Sequence, residues 1–573
     1  MKHFFFIFIY CCAVLISSAQ TAKPIVGVGN EVNPYHYTST KTLMVTNGCV
    51  VSASPLASEI GLAVLKRGGN AFDAMIATQL ALAVVYPAAG NIGGGGFTVA
   101  RTKDDSLMAL DYREAAPLKA NRNMYIDSAG NARTDWSQYG HLSVGVPGTV
   151  AGLFAEYKYA KLPFKDLIQP AIDLAEKGYI ISKSEAESFN ENKADFIKYN
   201  TKPNVFVSKT EWKEGDTLFQ PELAQTLKRI RDNGMKGFYE GETAKLIVEE
   251  MQRSNGIISY ADLKNYVCKT RKPTEFDYRG YHVVSMPPSS SGGIILGEML
   301  KMIEPYPMHD YGFQTEKSVQ LMIESERRAY ADRAEHLGDP DFWNVPENIL
   351  LSDAYTKKRM SDYDSTKASK SENIKAGNVH ESNQTTHISI IDKDGNMVAV
   401  TTTLNNGYGS KTIAGGAGFF LNDEMDDFSI KPGVPNMYGA IGGDANAIAP
   451  GKRMLSSMTP TLVLKNNKPF MVVGTPGGTT ITTSVFQSIV NVVDFGMNAE
   501  DAVDKPKFHH QWLPDTVMIE KGFNASTADA LKNMGYKLIE LNGIGRTELI
   551  KILPDGKREA AADIRGDDSV SGY

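Results

Sequence analysis

The sequence predicts a mixed α/β protein in which sheets are covered by helices. Apolar residues recur with helical spacing in residues 57–87 and again through much of residues 166–335. In residues 387–475, two pairs of short apolar runs are each separated by a two-residue turn, which indicates β-hairpins. Strands followed by helices that lie outside them are typical of layered folds.

The first predicted elements are two helices between residues 57 and 87. ASEIGLAVLKR ends at Gly68-Gly69, a C-cap signal, and Asn70 can cap AFDAMIATQLALAVVY, which stops before Pro87. The glycine loop GNIGGGGFTVA, residues 90–100, then leads into a strand. It lacks the Lys-Ser/Thr ending of a phosphate loop and follows a helix, so the pattern favours close backbone approach or a tight turn.

The later elements are helices in the middle of the chain and hairpins after residue 385. QPELAQTLKRIRDNG and VQLMIESERRAYADRAEHLG both read as helices that end in glycine. HISIID and MVAVTTTL flank Asp394-Gly395, and TLVLK and PFMVVGT flank Asn466-Asn467, so two hairpins are expected. The second hairpin leads through PGG into TTITTSVFQSIVNVVDFG, which is predicted to be a buried helix.

Composition and charge favour a large globular enzyme over a nucleic-acid-binding protein. The chain has 573 residues, is 42% hydrophobic and carries a formal charge of −6, with no basic tail. A sizeable core is therefore expected, and neither nucleic acid nor an anionic membrane is predicted as a partner. We also predict no metal and no organic cofactor. His509-His510 and the acidic stretch NDEMDDF suggest metal sites only weakly, because NDEMDDF fits no calcium-loop spacing.

Residues 1–19 are predicted to be a signal peptide. Lys2 precedes an apolar run at residues 4–16, and the small residues 17–19 offer a cleavage site. The apolar run is shorter than the roughly 20 residues that a membrane-spanning helix needs. We therefore expect an exported protein, periplasmic or secreted, with no membrane attachment after the signal is removed.

Two cysteines, Cys49 and Cys268, remain after the signal peptide. Two cysteines are too few for a disulfide framework. One bridge is conceivable, but two buried thiols are the favoured interpretation.

A polar segment that ends at a pair of threonines is the strongest indication of chemistry. Residues 362–384 contain almost no large apolar side chains and are predicted to be mobile and exposed. Thr385 and Thr386 follow at the start of a strand. A threonine that becomes an N-terminus can act as a nucleophile with its own α-amine as the base. The ordinary pKa of an α-amine, about 7.7–8.0, is close to neutral pH, which is where a general base is most effective. Spacing alone allows either threonine.

Ten segments in order resemble the γ-glutamyltranspeptidase family over essentially the whole mature chain. The upstream segments are GNIGGGGF, DYREAAP, VGVPGTVAGL, MPPSSSGG and YADRAEHLGDPDF. The downstream segments are NQTTHISIIDKDGNMVAVTTTLNNGYGS, GFFLNDEMDDFSIKPGVPN, RMLSSMTPTLV, GTPGGTTI and KFHHQWLPD. The resemblance implies an N-terminal-nucleophile hydrolase with a four-layer αββα sandwich. It also implies self-cleavage between Gln384 and Thr385, which gives a large subunit of residues 20–384 and a small catalytic subunit of residues 385–573.

The resemblance also implies a role for each candidate site residue. Thr385 matches the nucleophile, Thr403 the threonine that hydrogen-bonds it, and Gly477 and Gly478 the oxyanion-hole donors. Those glycines follow a strand and precede a helix, a position from which N–H groups can point outward. The family positions that bind the γ-glutamyl group match Arg113, Ser456 and Ser457 for its α-carboxylate, and Asn405, Glu424 and Asp427 for its α-amino group. KPGVPNMYGAIGG resembles a lid loop, in which Tyr438 would shield the pocket.

Three functions compete at this stage. The first is a γ-glutamyltransferase that uses glutathione and other γ-glutamyl donors and passes the acyl group to water, amino acids or peptides. The second is an acylase for glutaryl amides, against which Asn405 and Asp427 argue. The third is a binding protein whose site has decayed, against which the intact set Thr385, Thr403 and Gly477-Gly478 argues. The sequence leaves open the balance between hydrolysis and transfer.

Overall fold

Two large antiparallel sheets form the centre of the protein in a computed structural model that describes residues 31–374, 385–431, 433–437, 439 and 441–573. The strands in these ranges are β1 (Thr42–Val45), β2 (Cys49–Ser52), β3 (Gly95–Arg101), β4 (Leu107–Asp111), β5 (Tyr179–Ile180), β6 (Thr217–Leu218), β7 (Lys269–Arg271), β8 (Thr274–Tyr278), β9 (Tyr281–Ser285), β10 (Thr386–Ile391), β11 (Met397–Thr403), β12 (Thr461–Lys465), β13 (Lys468–Gly474), β14 (Phe508–His509), β15 (Val517–Glu520), β16 (Leu538–Leu541), β17 (Glu548–Ile552), β18 (Arg558–Ala562) and β19 (Ser569–Gly572). One seven-stranded sheet has the order β1-β18-β17-β13-β12-β9-β8, and the other has the order β19-β2-β10-β11-β3-β4-β7.

Helices cover the outer faces of both sheets. The helices are α1 (Pro55–Lys66), α2 (Ala71–Val85), α3 (Thr134–Gln138), α4 (Thr149–Glu156), α5 (Phe164–Lys177), α6 (Lys183–Lys198), α7 (Pro221–Asn233), α8 (Lys236–Tyr239), α9 (Gly241–Gln252), α10 (Tyr260–Asn265), α11 (Gly292–Ile303), α12 (Met308–Tyr311), α13 (Glu316–His336), α14 (Glu347–Leu350), α15 (Asp353–Arg359), α16 (Thr480–Val493), α17 (Ala499–Asp504) and α18 (Ala525–Asn533). Among the helices described, none is long and apolar enough to cross a bilayer.

The side chains of the central strands alternate between two cores, which produces four layers. In β11, Val398 and Val400 join the core formed with α1, α2 and α5, whereas Met397 and Ala399 face the other sheet. This alternation follows from the two-residue period of a strand. In the opposite sheet, Val463 of β12 belongs to the core formed with α11, α13 and α16. The predicted αββα sandwich is confirmed.

The local predictions about helices and hairpins are also confirmed. Asn70 caps α2 in a capping box, because its side chain accepts from the backbone N–H of Asp73 while the carboxylate of Asp73 accepts from the N–H of Asn70. β10 pairs with β11 around Asp394-Gly395, and β12 pairs with β13 around Asn466-Asn467. The segment after the second hairpin forms α16, which is buried along most of its length.

The prediction of an exposed segment at residues 362–384 is wrong at two positions. Ser371 and Ile374 are buried, although most of residues 362–370 are exposed or half-buried. The indole N–H of Trp512 donates to the backbone carbonyls of both residues, and Arg327 donates to the Ser371 hydroxyl. The chain is therefore anchored ten residues before Gln384, and residues 375–384 themselves lie outside the described ranges.

Both remaining cysteines are free thiols. Cys49 is buried, as expected, whereas Cys268 is half-buried. Burial raises the pKa of each thiol to about 12, so both are protonated at neutral pH.

Candidate active site

Hairpin register brings Thr385 opposite Thr403. β10 and β11 pair with Thr386 opposite Thr402, so the residues one step further along lie side by side at the end of the hairpin. The Oγ1 atoms of Thr385 and Thr403 are 3.5 Å apart, and both residues are buried. The Thr403 hydroxyl also accepts from the N–H of Asn405, at 2.8 Å, which fixes its orientation. The two predicted threonines are thus in contact.

Glycines in the loop before β3 and at the start of β3 allow this backbone to pass very close to the backbone of β11. A Cβ atom on Gly94 would lie 2.1 Å from the carbonyl oxygen of Thr403, and one on Gly96 would lie 2.5 Å from that of Thr401. The side chain of Asn91 links the loop to β11, because its Nδ2 donates to the Thr403 carbonyl at 2.9 Å. The interpretation as a close-approach loop is confirmed. Asn91 itself was missed, since one asparagine in a loop gives no signal of its own.

The turn between β13 and α16 carries two unused N–H groups. Gly477 and Gly478 have φ angles of 140° and 57°, which favour glycine. Within the described residues, neither backbone N–H donates a hydrogen bond, whereas their carbonyls accept from the first turn of α16. Gly478 borders the same cavity as Thr385. Free N–H groups at a helix N-terminus are suited to an oxyanion.

Arg113 connects the two predicted groups of binding residues. It lies just after β4 and forms ion pairs with both Glu424 and Asp427, which come from a short 3-10 helix. Its Nε donates to the carbonyl of Met454, and its own carbonyl accepts from the Tyr266 hydroxyl at 2.7 Å. The carboxylate-binding and amine-binding sets predicted from the sequence therefore touch each other.

Burial and charge shift the pKa values of this cluster in opposite directions. Burial alone would lower the pKa of Arg113, but Glu424 and Asp427 hold it above its ordinary value. Burial raises the pKa of Glu424 well above its ordinary range and also raises that of Asp427, against the pull of Arg113. Burial likewise raises the pKa of Glu114, which lies 3.7 Å from Arg113, to about 8. The guanidinium is thus charged, and its acidic neighbours hold protons more readily than exposed carboxyls do.

The other predicted residues complete one cavity. Asn405 has a positive φ of 78°, and its Nδ2 donates to the Asp423 carbonyl at 3.2 Å. Ser456 and Ser457 come from the loop before β12, and the Ser456 N–H donates to the Ser289 carbonyl at 3.0 Å. The cavity is lined by Arg113, Arg333, Thr385, Thr403, Asn405, Glu424, Asp427, Asn436, Ser456, Ser457, Met458, Gly478, Thr479 and Ile481.

Two predicted residues cannot be located, and several lining residues were missed. Tyr438 and Gln384 lie outside the described residues. Arg333 and Asn436 line the cavity but were not predicted. Both lie within segments that carried the family resemblance. Their position in those segments was the signal that could have identified them. Asn436 donates to Asp427 at 2.8 Å.

A second cavity is also lined by Thr385. It has a volume of about 350 Å³, and Thr385 and Gly477 form part of its wall. Its remaining wall includes Tyr408, Arg546 and Asp567. Thr385 therefore borders two cavities, one small and charged and the other larger and mixed in polarity.

The two adjacent histidines have structural partners. His509 lies 2.7 Å from both the Thr483 hydroxyl and the Gln511 side-chain oxygen, and His510 accepts from the N–H of Trp512. Burial lowers the pKa of His509 to about 3 and that of His510 to about 4, so both rings are neutral. In the part of the chain that the structure describes, no group of three or more His, Cys, Asp or Glu side chains is arranged to hold a metal ion.

The chain resembles known proteins in sequence and in fold. The sequence matches the family described as Gamma-glutamyltranspeptidase over residues 57–573. It is 45% identical over 563 residues to the glutathione hydrolase proenzyme of Escherichia coli (strain K12), covering 97% of this chain and 96% of that protein. The structure is similar to that of cephalosporin acylase from Bacillus halodurans, with a TM-score of 0.83, 27% identity, and coverage of 94% of this chain and 98% of the other. It is also similar to Helicobacter pylori γ-glutamyltranspeptidase, with a TM-score of 0.57, 44% identity, and coverage of 60% and 99%. This chain therefore belongs to the γ-glutamyltranspeptidase family.

Proposed function

We propose that this protein is an exported, self-processing γ-glutamyltransferase that also hydrolyses glutathione. The observation that carries the proposal is one cavity lined by Thr385, whose hydroxyl lies beside that of Thr403, and also by Arg113 and the acidic pair Glu424 and Asp427. A γ-glutamyl group carries a carboxylate and an ammonium on one carbon. A cavity wall that offers both a guanidinium and carboxyl groups matches that pair of charges.

Maturation is proposed to begin with attack by the Thr385 hydroxyl on the carbonyl of Gln384. The C–N bond breaks and frees the Thr385 amine as an ester forms on Oγ1, and water then hydrolyses the ester to free the Gln384 carboxylate and restore the Thr385 hydroxyl. The products are a large subunit of residues 20–384, after loss of residues 1–19, and a small subunit of residues 385–573. The position of Thr385 at the first residue before a central strand supports this step, because the strand holds the nucleophile in place.

Catalysis then uses the same hydroxyl on a γ-glutamyl amide. The Thr385 α-amine takes the hydroxyl proton as Oγ1 attacks the γ-carbonyl, and the N–H groups of Gly477 and Gly478 stabilise the oxyanion. The Thr385 α-amine then gives that proton to the amine of the substrate's amide bond, which leaves, and a γ-glutamyl ester remains on Thr385. Water or an acceptor amine attacks the ester and restores Thr385.

The roles of the binding residues follow from their charges. The substrate's α-carboxylate binds Arg113, Ser456 and Ser457, and its ammonium binds Asn405, Glu424 and Asp427. Arg113 forms ion pairs with Glu424 and Asp427. When the substrate binds, its carboxylate pairs with Arg113, and its ammonium pairs with Glu424 and Asp427. The larger cavity beside Thr385 and Gly477 has room for the leaving amine and for amino-acid or peptide acceptors.

A glutaryl acylase is the second candidate, because the chain also resembles a cephalosporin acylase across most of its length. Glutaryl and γ-glutamyl groups present the same carbonyl but differ in the ammonium. A site built to bind a charged donor leaves its own acceptors unpaired when that donor is absent. Such sites discriminate by roughly 10⁴-fold.

We therefore expect the wild type to cleave a γ-glutamyl anilide with a kcat/KM about 10⁴-fold above that for the matching glutaryl anilide. Asp427→Ala should slow the γ-glutamyl substrate far more than the glutaryl one, and Asp427→Asn should be milder because an acceptor oxygen remains. Asp444→Ala is the matched control, since Asp444 is exposed and pairs with Arg122 outside the cavity. Equal rates on the two anilides in the wild type would support the acylase instead.

A further inference from the structure

Arg333 is a buried arginine with few partners. It lies in the last turn of α13 and is 6% exposed. Within the described residues its hydrogen bonding is limited to Nε, which donates to the Ser291 hydroxyl at 3.0 Å, and no carboxylate lies within ion-pair distance. Two other buried arginines of the same helix differ, because Arg327 and Arg328 both pair with Glu324. A buried guanidinium without an ion-pair partner is unfavourable.

The cavity beside Thr385 is where this unbalanced charge lies. Arg333 and Arg113 both line it, but Arg113 is already paired with Glu424 and Asp427. Burial lowers the pKa of Arg333, the opposite of the shift at Arg113. An anion bound in the cavity would stabilise the charged form of Arg333.

The contact with Ser291 holds Arg333 against the loop that bears Ser456. The N–H and the hydroxyl of Ser291 both donate to the carbonyl of Ser456, at 2.8 and 2.7 Å. Arg333 Nε therefore donates to a hydroxyl that is itself fixed to this loop. Neither Nη atom hydrogen-bonds to any residue in the described ranges. Arg333 lines the cavity together with Ser456, a residue to which the proposed function assigns a substrate carboxylate.

We propose that Arg333 is a second arginine for the α-carboxylate of the γ-glutamyl donor, an inference that rests on the proposed function. Its Nη groups bind the carboxylate together with Ser456 and Ser457. Arg113 then lies between the carboxylate and the acidic residues that receive the ammonium. In this arrangement two guanidinium groups and a substrate ammonium face the carboxyl groups of Glu424 and Asp427 and a substrate carboxylate.

The test compares a substrate that has the α-carboxylate with one that lacks it. A γ-glutamyl anilide carries both charges, whereas a 4-aminobutyryl anilide keeps the ammonium and lacks the carboxylate. Arg333→Gln should lower kcat/KM for the γ-glutamyl anilide by about 10- to 100-fold, the usual scale for a hydrogen bond to a charged group. The rate on the 4-aminobutyryl anilide should change by less than about threefold. Arg333→Lys should fall between wild type and Arg333→Gln, because it keeps the charge without the planar fork.

Control measurements distinguish carboxylate binding by Arg333 from a purely structural role of Arg333, and from failure of the proposed function. Arg231→Gln removes an equal charge outside the cavity, from an arginine paired with Asp232, and should leave both rates unchanged. Equal losses on the two anilides in Arg333→Gln would overturn the role of Arg333, and so would a loss confined to the 4-aminobutyryl substrate. If Arg333→Gln does not mature, the same comparison is made with Arg333→Lys. A wild type that fails to cleave the γ-glutamyl anilide would instead overturn the proposed function.

Discussion

Thr385→Ala is expected to yield a single full-length chain with no detectable transferase or hydrolase activity. The variant lacks the hydroxyl that is proposed to attack the Gln384 carbonyl and to act as the nucleophile of the mature enzyme. Thr385→Ser should still mature, because a hydroxyl remains. A denaturing gel of purified protein and an assay with a γ-glutamyl anilide measure the two effects.

Thr386→Ala is the matched control, since spacing alone left both threonines open. The Thr386 hydroxyl is buried and makes no hydrogen bond within the described residues, so its removal costs little in polar contacts. We expect Thr386→Ala to mature and to retain activity. Two fragments from Thr385→Ala, together with one inactive chain from Thr386→Ala, would move the nucleophile to Thr386.

Gly477→Ala is expected to lower kcat by about 10²–10³-fold, with a smaller change in KM. Gly477 has a φ of 140°, and a Cβ atom there would lie 2.4 Å from the Thr480 hydroxyl at the start of α16. The turn must shift, and the N–H groups proposed to bind the oxyanion shift with it. Because these groups act most strongly in the transition state, the loss should appear in kcat.

Gly556→Ala controls for backbone strain alone. Gly556 has a φ of 85° in the turn between β17 and β18, and a Cβ atom there would meet nothing within 4 Å. Both variants are assayed as the matured fraction, quantified on the same gel. A matured Gly477→Ala enzyme with a kcat within about threefold of wild type would remove the turn from the mechanism.

The features that sequence predicts well here are governed by local chemistry. The Asp394-Gly395 turn fixes a hairpin register, and that register alone brings Thr385 opposite Thr403. Strand, PGG and helix follow one another along the chain, so the N–H groups of Gly477 and Gly478, which donate no hydrogen bond within the described residues, could also be anticipated. The specific roles came from the family resemblance, because threonines and glycines of this kind are common in ordinary turns.

The features that were missed depend on contacts between distant parts of the chain. Arg113 follows β4, and Glu424 and Asp427 follow β11. They can form ion pairs because β4 and β11 both pair with β3 and finish at the same end of the sheet. Nothing in the periodicity of α13 distinguishes Arg333 from Arg328, since both are buried and only their surroundings differ. The anchoring of Ser371 and Ile374 likewise depends on an indole from far along the chain.

The central claim is that the Thr385 hydroxyl carries the γ-glutamyl group during turnover. Wild-type enzyme mixed with a γ-glutamyl anilide, quenched in acid and analysed by mass spectrometry tests this directly. The small subunit is expected to gain the mass of one γ-glutamyl group, attached to Thr385 in the N-terminal peptide and released by hydroxylamine, as an ester should be. Labelling of Thr386, Ser456 or Ser457 instead, in enzyme that turns over normally, would contradict the account.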